Sequence, residues 1–147
     1  MNFEKTEKLF QKYPDLFNQD SLVYGFECQD GWFDILTNFA EQIRHYRSDR
    51  VCVTKFEIIQ VKQKMGALRI YANGCDAVIR SLIEEAEEQS QSVCELDGEP
   101  AIGLFVCAPE WYRHLCERCA GLHGCMTMED YHQGCVERTI EQQNLYI

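Results

Sequence analysis

Cys94-Glu95-Leu96-Asp97, Cys116-Glu117-Arg118-Cys119, His123, Cys125, His132 and Cys135 crowd the last third of this chain, so six of its nine cysteines and three of its four histidines lie between positions 94 and 135. Thiolates and imidazoles at that density suit a divalent metal ion before any other chemistry. Two ligands separated by two residues share one tight turn, and two such turns close a tetrahedron. Cys116 and Cys119 form a complete half-site of this kind. Cys94 and Asp97, followed by Gly98, keep the spacing but replace one thiolate with a carboxylate. The 18 residues between Asp97 and Cys116 are an ordinary loop for zinc ribbons and their relatives. The expected cofactor is zinc, bound by Cys94, Asp97, Cys116 and Cys119, with Cys107, His123 or Cys125 as alternatives to Asp97 for the fourth place.

Ligands this plentiful, on short turns, suit a closed structural site, whereas a catalytic zinc keeps a position open for water. His114 and Cys116 are close enough in sequence to make a base and a nucleophile, but nothing in the sequence orients them. No phosphate-binding glycine loop, H-E-x-x-H or G-x-S-x-G motif occurs. No catalytic residue is assigned, and the chain reads as a non-enzyme. Cys28, Cys52 and Cys75, scattered singly, read as buried thiols that pack like small apolar side chains.

The elements that must position this cluster belong to a chain of 147 residues, about the size of one domain, with 46% hydrophobic and 26% charged residues. No apolar run reaches membrane-spanning length, and the first residues carry no signal-peptide pattern. The expected location is the reducing cytoplasm, where cysteines are thiols or metal ligands rather than disulfides. Net charge is −10, which argues against binding a phosphate backbone with the whole surface. The charge is uneven: positions 84–99 hold seven acids and no Lys or Arg, while positions 44–69 hold seven bases against Asp49 and Glu57.

Phe3, Leu9, Phe10 and Tyr13 predict a helix over 3–13 that Pro14 closes. Residues 18–29 read as a loop. Asp30 is placed to cap a second helix, in which Trp32, Ile35, Leu36, Phe39 and Ile43 recur at helical spacing up to Tyr46. Residues 51–63 and 68–72 read as two strands of an antiparallel hairpin turning at Met65-Gly66. Asp76 caps a third helix lined by Ile79, Leu82, Ile83 and Ala86. Breakers make 90–109 irregular, 110–119 reads as a short helix, and Thr127 with Asp130 caps a last helix through Gln142. The fold class that follows is α+β. One domain spans 1–147, with helices packed on a β-hairpin or small antiparallel sheet in 1–90 and a zinc-ribbon-like, metal-organised module in 91–147.

Gly31-Trp32-Phe33, the series from Gln60-Val61-Lys62 through Lys64, Gly66 and Leu68-Arg69 to Tyr71, Ala86-Glu87 with Ser90, Cys94-Glu95 with Gly98 and Pro100, Trp111 and Leu115-Cys116 occur in that order. The ordered set resembles a family of small uncharacterised proteins encoded by phages and prophages, over residues 31–119. Two departures from the family pattern bear on the metal: Asp97 stands where the family has cysteine, and Cys119 where it often has histidine. The resemblance implies phage origin and a zinc-finger-like module, and it brings no established activity.

The functional expectation is a non-enzymatic phage-type accessory protein that binds and inhibits a bacterial host protein, such as a nucleic-acid-handling defence enzyme, in anti-defence or anti-CRISPR fashion. Glu84, Glu87 and Glu88 would meet a basic face, and Trp111 or Tyr112 would anchor the complex. A zinc-module nucleic-acid binder using Lys62, Lys64 and Arg69 with Tyr71 and Phe56 is the first alternative, and a metal- or cysteine-dependent enzyme the second.

Overall fold

The computed structural model describes residues 1–48, 55–107 and 111–144, with side chains as far as Glu137. Helix α1 (Phe3–Lys12) is capped by Asn2, whose side chain accepts the Lys5 N–H at 2.9 Å, and it ends at buried Tyr13, just before Pro14. Strand β1 (Phe26–Glu27) lies inside the stretch expected to be loop. A 3-10 turn (Asp30–Trp32) leads into α2 (Phe33–Ser48), which buries Ile35, Leu36, Phe39, Ala40 and Ile43. Asp30 does not cap that helix. Its carboxylate accepts the backbone and side-chain N–H groups of Asn2 at 2.7 and 2.6 Å, tying the start of α1 to the turn.

Strands β2 (Glu57–Lys64) and β3 (Ala67–Asn73) pair antiparallel, with Lys64 opposite Ala67, so Met65 and Gly66 alone make the loop. The expected strand residues 51–54, Cys52 among them, lie outside the described residues. Strand β1 joins β2 in parallel, Phe26 opposite Val61, which makes the sheet mixed rather than wholly antiparallel. Helix α3 (Ala77–Gln89) starts at Asp76, which accepts the Ile79 N–H at 2.9 Å as expected. Its last turn covers the free edge of β3. Ser90 Oγ accepts the Leu68 N–H at 2.9 Å, and the Glu87 carboxylate accepts the Ile70 N–H at 3.0 Å. An open sheet edge exposes unpaired amides, and these two side chains occupy them.

The second half departs further from expectation. Residues 103–107 form strand β4 (Gly103–Cys107), not irregular chain, and half of the expected helix over 110–119 is strand β5 (Trp111–Leu115). The run from Trp111 to Leu115 finds a partner in β4, Phe105 opposite Arg113, and pairing overrides local helix preference. The helix begins later, as α4 (Glu117–Leu122). Strand β6 (Met126–Thr127) closes a second three-stranded sheet of order β5-β4-β6. Helix α5 (Met128–Asn144) follows, and Thr127 caps it as expected, accepting the Asp130 N–H at 3.1 Å.

The protein is therefore α+β, with five helices and two small sheets among the described residues. Its buried apolar residues fall into a large cluster running from Leu9 to Ala86 and a small one running from Cys94 to Ala120. No described helix is long and apolar enough to cross a membrane. The halves meet at a close backbone approach and one side-chain bond: Gly31 N–H donates to Glu95 O at 2.8 Å, and the Trp32 indole Nε1–H to Val93 O at 3.2 Å. A Cβ on Gly31 would stand 2.0 Å from Cys94 O, so only glycine admits this approach.

Candidate metal centre

A bridge between Val93 and Pro100 brings together the two ends of the turn that carries the first half-site. Inside it the Cys94 N–H donates to Glu99 O at 2.7 Å and the Gly98 N–H to Cys94 O at 3.0 Å. Gly98 adopts φ +83°, a left-handed conformation that glycine enters without steric cost, so the chain can reverse directly after Asp97. The second half-site is not the matching hairpin turn of a ribbon. Cys116 is the N-cap of α4, accepting the Cys119 N–H at 3.4 Å, and Cys119 lies in the first turn of that helix. The β4–β5 hairpin returns the chain between the two. Its base is fastened by the Ile102 N–H to Leu115 O at 2.9 Å and by the Glu95 N–H to His114 O at 3.0 Å.

The ligand atoms of Cys94, Asp97, Cys116 and Cys119 all lie within 4.8 Å of one another. A tetrahedral ion with bonds of about 2.0–2.3 Å holds its donors roughly 3.3–3.8 Å apart, so a small contraction completes the shell. The three cysteines are buried, and the Asp97 side chain is 17% exposed. Asp97 Oδ2 lies 2.9 Å from Cys119 Sγ, 3.3 Å from Cys116 Sγ and 2.7 Å from Arg118 Nη2, while Oδ1 accepts the Glu99 N–H at 3.0 Å. One carboxylate oxygen is thus aimed at the thiols, and the other is locked to the turn. Cys107, His123 and Cys125 do not displace Asp97 from this set.

Burial raises the Cys94 and Cys119 thiols above their ordinary range, and hydrogen bonding to Asp97 adds to the shift. Burial also opposes ionisation of Asp97. Hydrogen bonds from Cys119, Cys94, the Glu99 N–H and Cys116 outweigh it and hold the carboxyl below its usual range. A divalent cation reverses the logic for the thiols, which lose their protons to become ligands. Three thiolates and a carboxylate around a dication leave two excess negative charges, and Arg118 offsets one of them. This donor set fits a thiophilic divalent ion.

Arg118 was hidden in plain sight between Cys116 and Cys119, where a charged residue reads as mere surface. A second ion pair lies in the same turn: Glu95, 1% exposed, faces Arg113 Nε at 3.4 Å. Burial raises the Glu95 carboxyl, and Arg113 counters part of that rise.

One expectation is overturned. Cys107 and Cys125 are joined in a disulfide, so not every cysteine is a thiol or a ligand. Strands β4 and β6 pair Phe105 with Thr127 and Val106 with Met126, and one further step sets Cys107 opposite Cys125. Cys28 is buried, which pushes its thiol up to about 12, in keeping with a packing role. His123 and His132 are exposed and Cys135 is half-buried. None of the three joins a ligand cluster among the described residues. His114 and Cys116 do not face each other as base and nucleophile. The His114 ring nitrogen Nδ1 lies 2.8 Å from Gly66 O, a carbonyl that can only accept, and the Cys116 thiol points to Asp97.

No family model, curated protein or solved structure matches this chain. Gly31 and Trp32 seat the turn at 94–97, Glu87 and Ser90 cover the β3 edge, and Gly66 meets His114. Of the expected partner-binding residues, Glu84 and Glu88 are exposed on α3 and Trp111 is 50% exposed, whereas Glu87 is engaged by Ile70 and Arg69, and Tyr112 is half-buried. Of the basic hairpin set, Phe56 is buried and Arg69 is paired with Glu87, which leaves Lys62, Lys64 and Tyr71 facing outward.

Proposed function

We propose that Cys94, Asp97, Cys116 and Cys119 hold one structural zinc ion between a turn and a helix N-terminus, and that the module so organised serves recognition of another protein rather than turnover. The observation that carries this reading is the convergence of two half-sites, 18 residues apart in sequence, on one point at which Asp97 Oδ2 is aimed. The protein itself supplies four donors, as a closed structural site requires. Zinc bound there would cross-link the turn at 94–97 to the start of α4, and the small cluster around Leu115 would gain the rigidity its size does not provide. In line with the phage-type motifs, the partner is a bacterial host protein, such as a defence nuclease that the chain inhibits. Exposed Glu84 and Glu88 supply an acidic face, and Trp111 with Tyr112 supplies an apolar anchor.

Elemental analysis and native mass spectrometry of the wild type, Cys94→Ser and Cys116→Ser test the metal. The expected outcome is one zinc per wild-type chain and loss of it in both variants, with faster amide exchange confined to the second half. A wild type that takes up no zinc on refolding with the ion would overturn it. Titration into purified bacterial defence nucleases tests the partner, with stoichiometric loss of cleavage expected. Unchanged cleavage across such a panel refutes inhibition.

A further inference from the structure

The tip of the β2–β3 hairpin carries an unusual residue. Met65 has φ +53°, next to Gly66 at +83°, in a two-residue loop. Two positive φ angles suit the mirror-type turns that favour Asn-Gly or Asp-Gly, and an unbranched apolar side chain at the first of these positions is strained. Met65 gains no burial in return, being 65% exposed. Across from it stands Trp111, 50% exposed at the start of β5. Gln63, Lys64, Met65, Trp111 and Tyr112 line a pocket of ≈ 260 Å³. Its floor is rigid: Gln63 Nε2 donates to Tyr112 O, and Gly66 O meets His114 Nδ1 at 2.8 Å.

Its walls hold Trp, Tyr and Met, residue types enriched where proteins bind one another, and their apolar surface is open to a partner. The charge here is the opposite of the whole molecule's. None of the five lining residues is acidic, Lys64 is one of them, and Lys62 projects from the same face of β2, in a chain of net charge −10. Nucleic acid is disfavoured by that net charge and by the engagement of Arg69 with Glu87, which leaves too few cations to follow a phosphate backbone.

We propose that this pocket docks a protein segment in which an aromatic or aliphatic anchor is followed by a carboxylate, the anchor lying between Met65 and Trp111 and the carboxylate on Lys64. The proposal rests on the recognition reading above and names the chemistry that its anchor takes. The strained Met65 is retained for its side chain in the interface, not for the turn.

The test pans random peptides displayed on phage against the zinc-loaded protein, with counter-selection on Trp111→Ala. Enriched peptides should pair an apolar anchor with Asp or Glu. A synthetic copy of one should lose about tenfold in affinity with Trp111→Ala or Lys64→Glu, the size of a moderate hot-spot effect. Met65→Asn should raise the melting temperature and weaken the same peptide, opposite signs that a purely structural residue would not give. Enriched peptides that bind Trp111→Ala as well as wild type, peptides without acidic residues, or a preference for oligothymidylate over peptide would each overturn the proposal. Zinc is measured on the same sample. One zinc per chain with no enriched peptide overturns the pocket alone, and peptide binding that survives loss of zinc in Cys116→Ser overturns the zinc platform alone.

Discussion

A carboxylate offers a metal a harder, less polarisable atom than a thiolate, so Asp97 makes this centre weaker for soft ions than four cysteines would. Asp97→Cys should tighten zinc by about tenfold or more in competition with a chromophoric chelator, because zinc favours thiolate donors. Arg118→Ala should loosen it by about tenfold, the lower range for a group that orients a ligand from outside the shell. Acid acts in a known direction. Arg44 holds Asp15 below its ordinary range, and hydrogen bonds do the same for Asp97, so each carboxyl stabilises the fold above its unfolded value, and that contribution is lost as pH falls through the lower folded value. Thermal melts of the metal-free protein should therefore weaken below about pH 4, where unfolded carboxylates take up protons first. The cluster of four candidate ligands is legible because each pair is local and its spacing is geometric. Arg118 was not, since its role depends on where Asp97 arrives from 21 residues away.

At the level of elements, α1, α2 and α3 declare themselves through apolar periodicity; α2 and α3 bury the face that the spacing marks, whereas α1 buries Leu9 and ends at buried Tyr13 but leaves Phe3 exposed. Strands β4 and β5 do not. Gly103, Pro100 and Pro109 crowd the flanks of β4, and five residues are too few for alternation to outweigh such breakers. Their strand character comes from pairing with each other and with β6. The short strand β1 was invisible for the same reason, being defined only by its parallel partner β2. The edge cover on β3 is the element-scale feature open to direct trial. Ser90→Ala removes the buried acceptor of the Leu68 N–H, and an orphaned buried amide costs about 1–3 kcal/mol, which chemical denaturation should register.

On the scale of the molecule, the junction between halves matters more than either sheet. Gly31→Ala would drive a methyl into the Cys94 carbonyl, and overpacking of this kind costs about 1–3 kcal/mol or more, measurable as a lower melting temperature and reduced zinc retention. That seat joins residues more than 60 positions apart and could not be read from local pattern. The disulfide carries a practical consequence. Cys107 and Cys125 close a loop that contains both Cys116 and Cys119, so one short stretch of chain needs opposite redox conditions at once. A reductant that keeps Cys94, Cys116 and Cys119 as thiols also opens the cross-link behind them, and an oxidant that preserves the cross-link threatens the ligands. Purification under strong reductant should yield a zinc-loaded chain with faster amide exchange at β6 and the start of α5. Purification without it should yield the closed loop with fractional zinc. Adding the ion before the reductant is removed is the order of handling that should retain both.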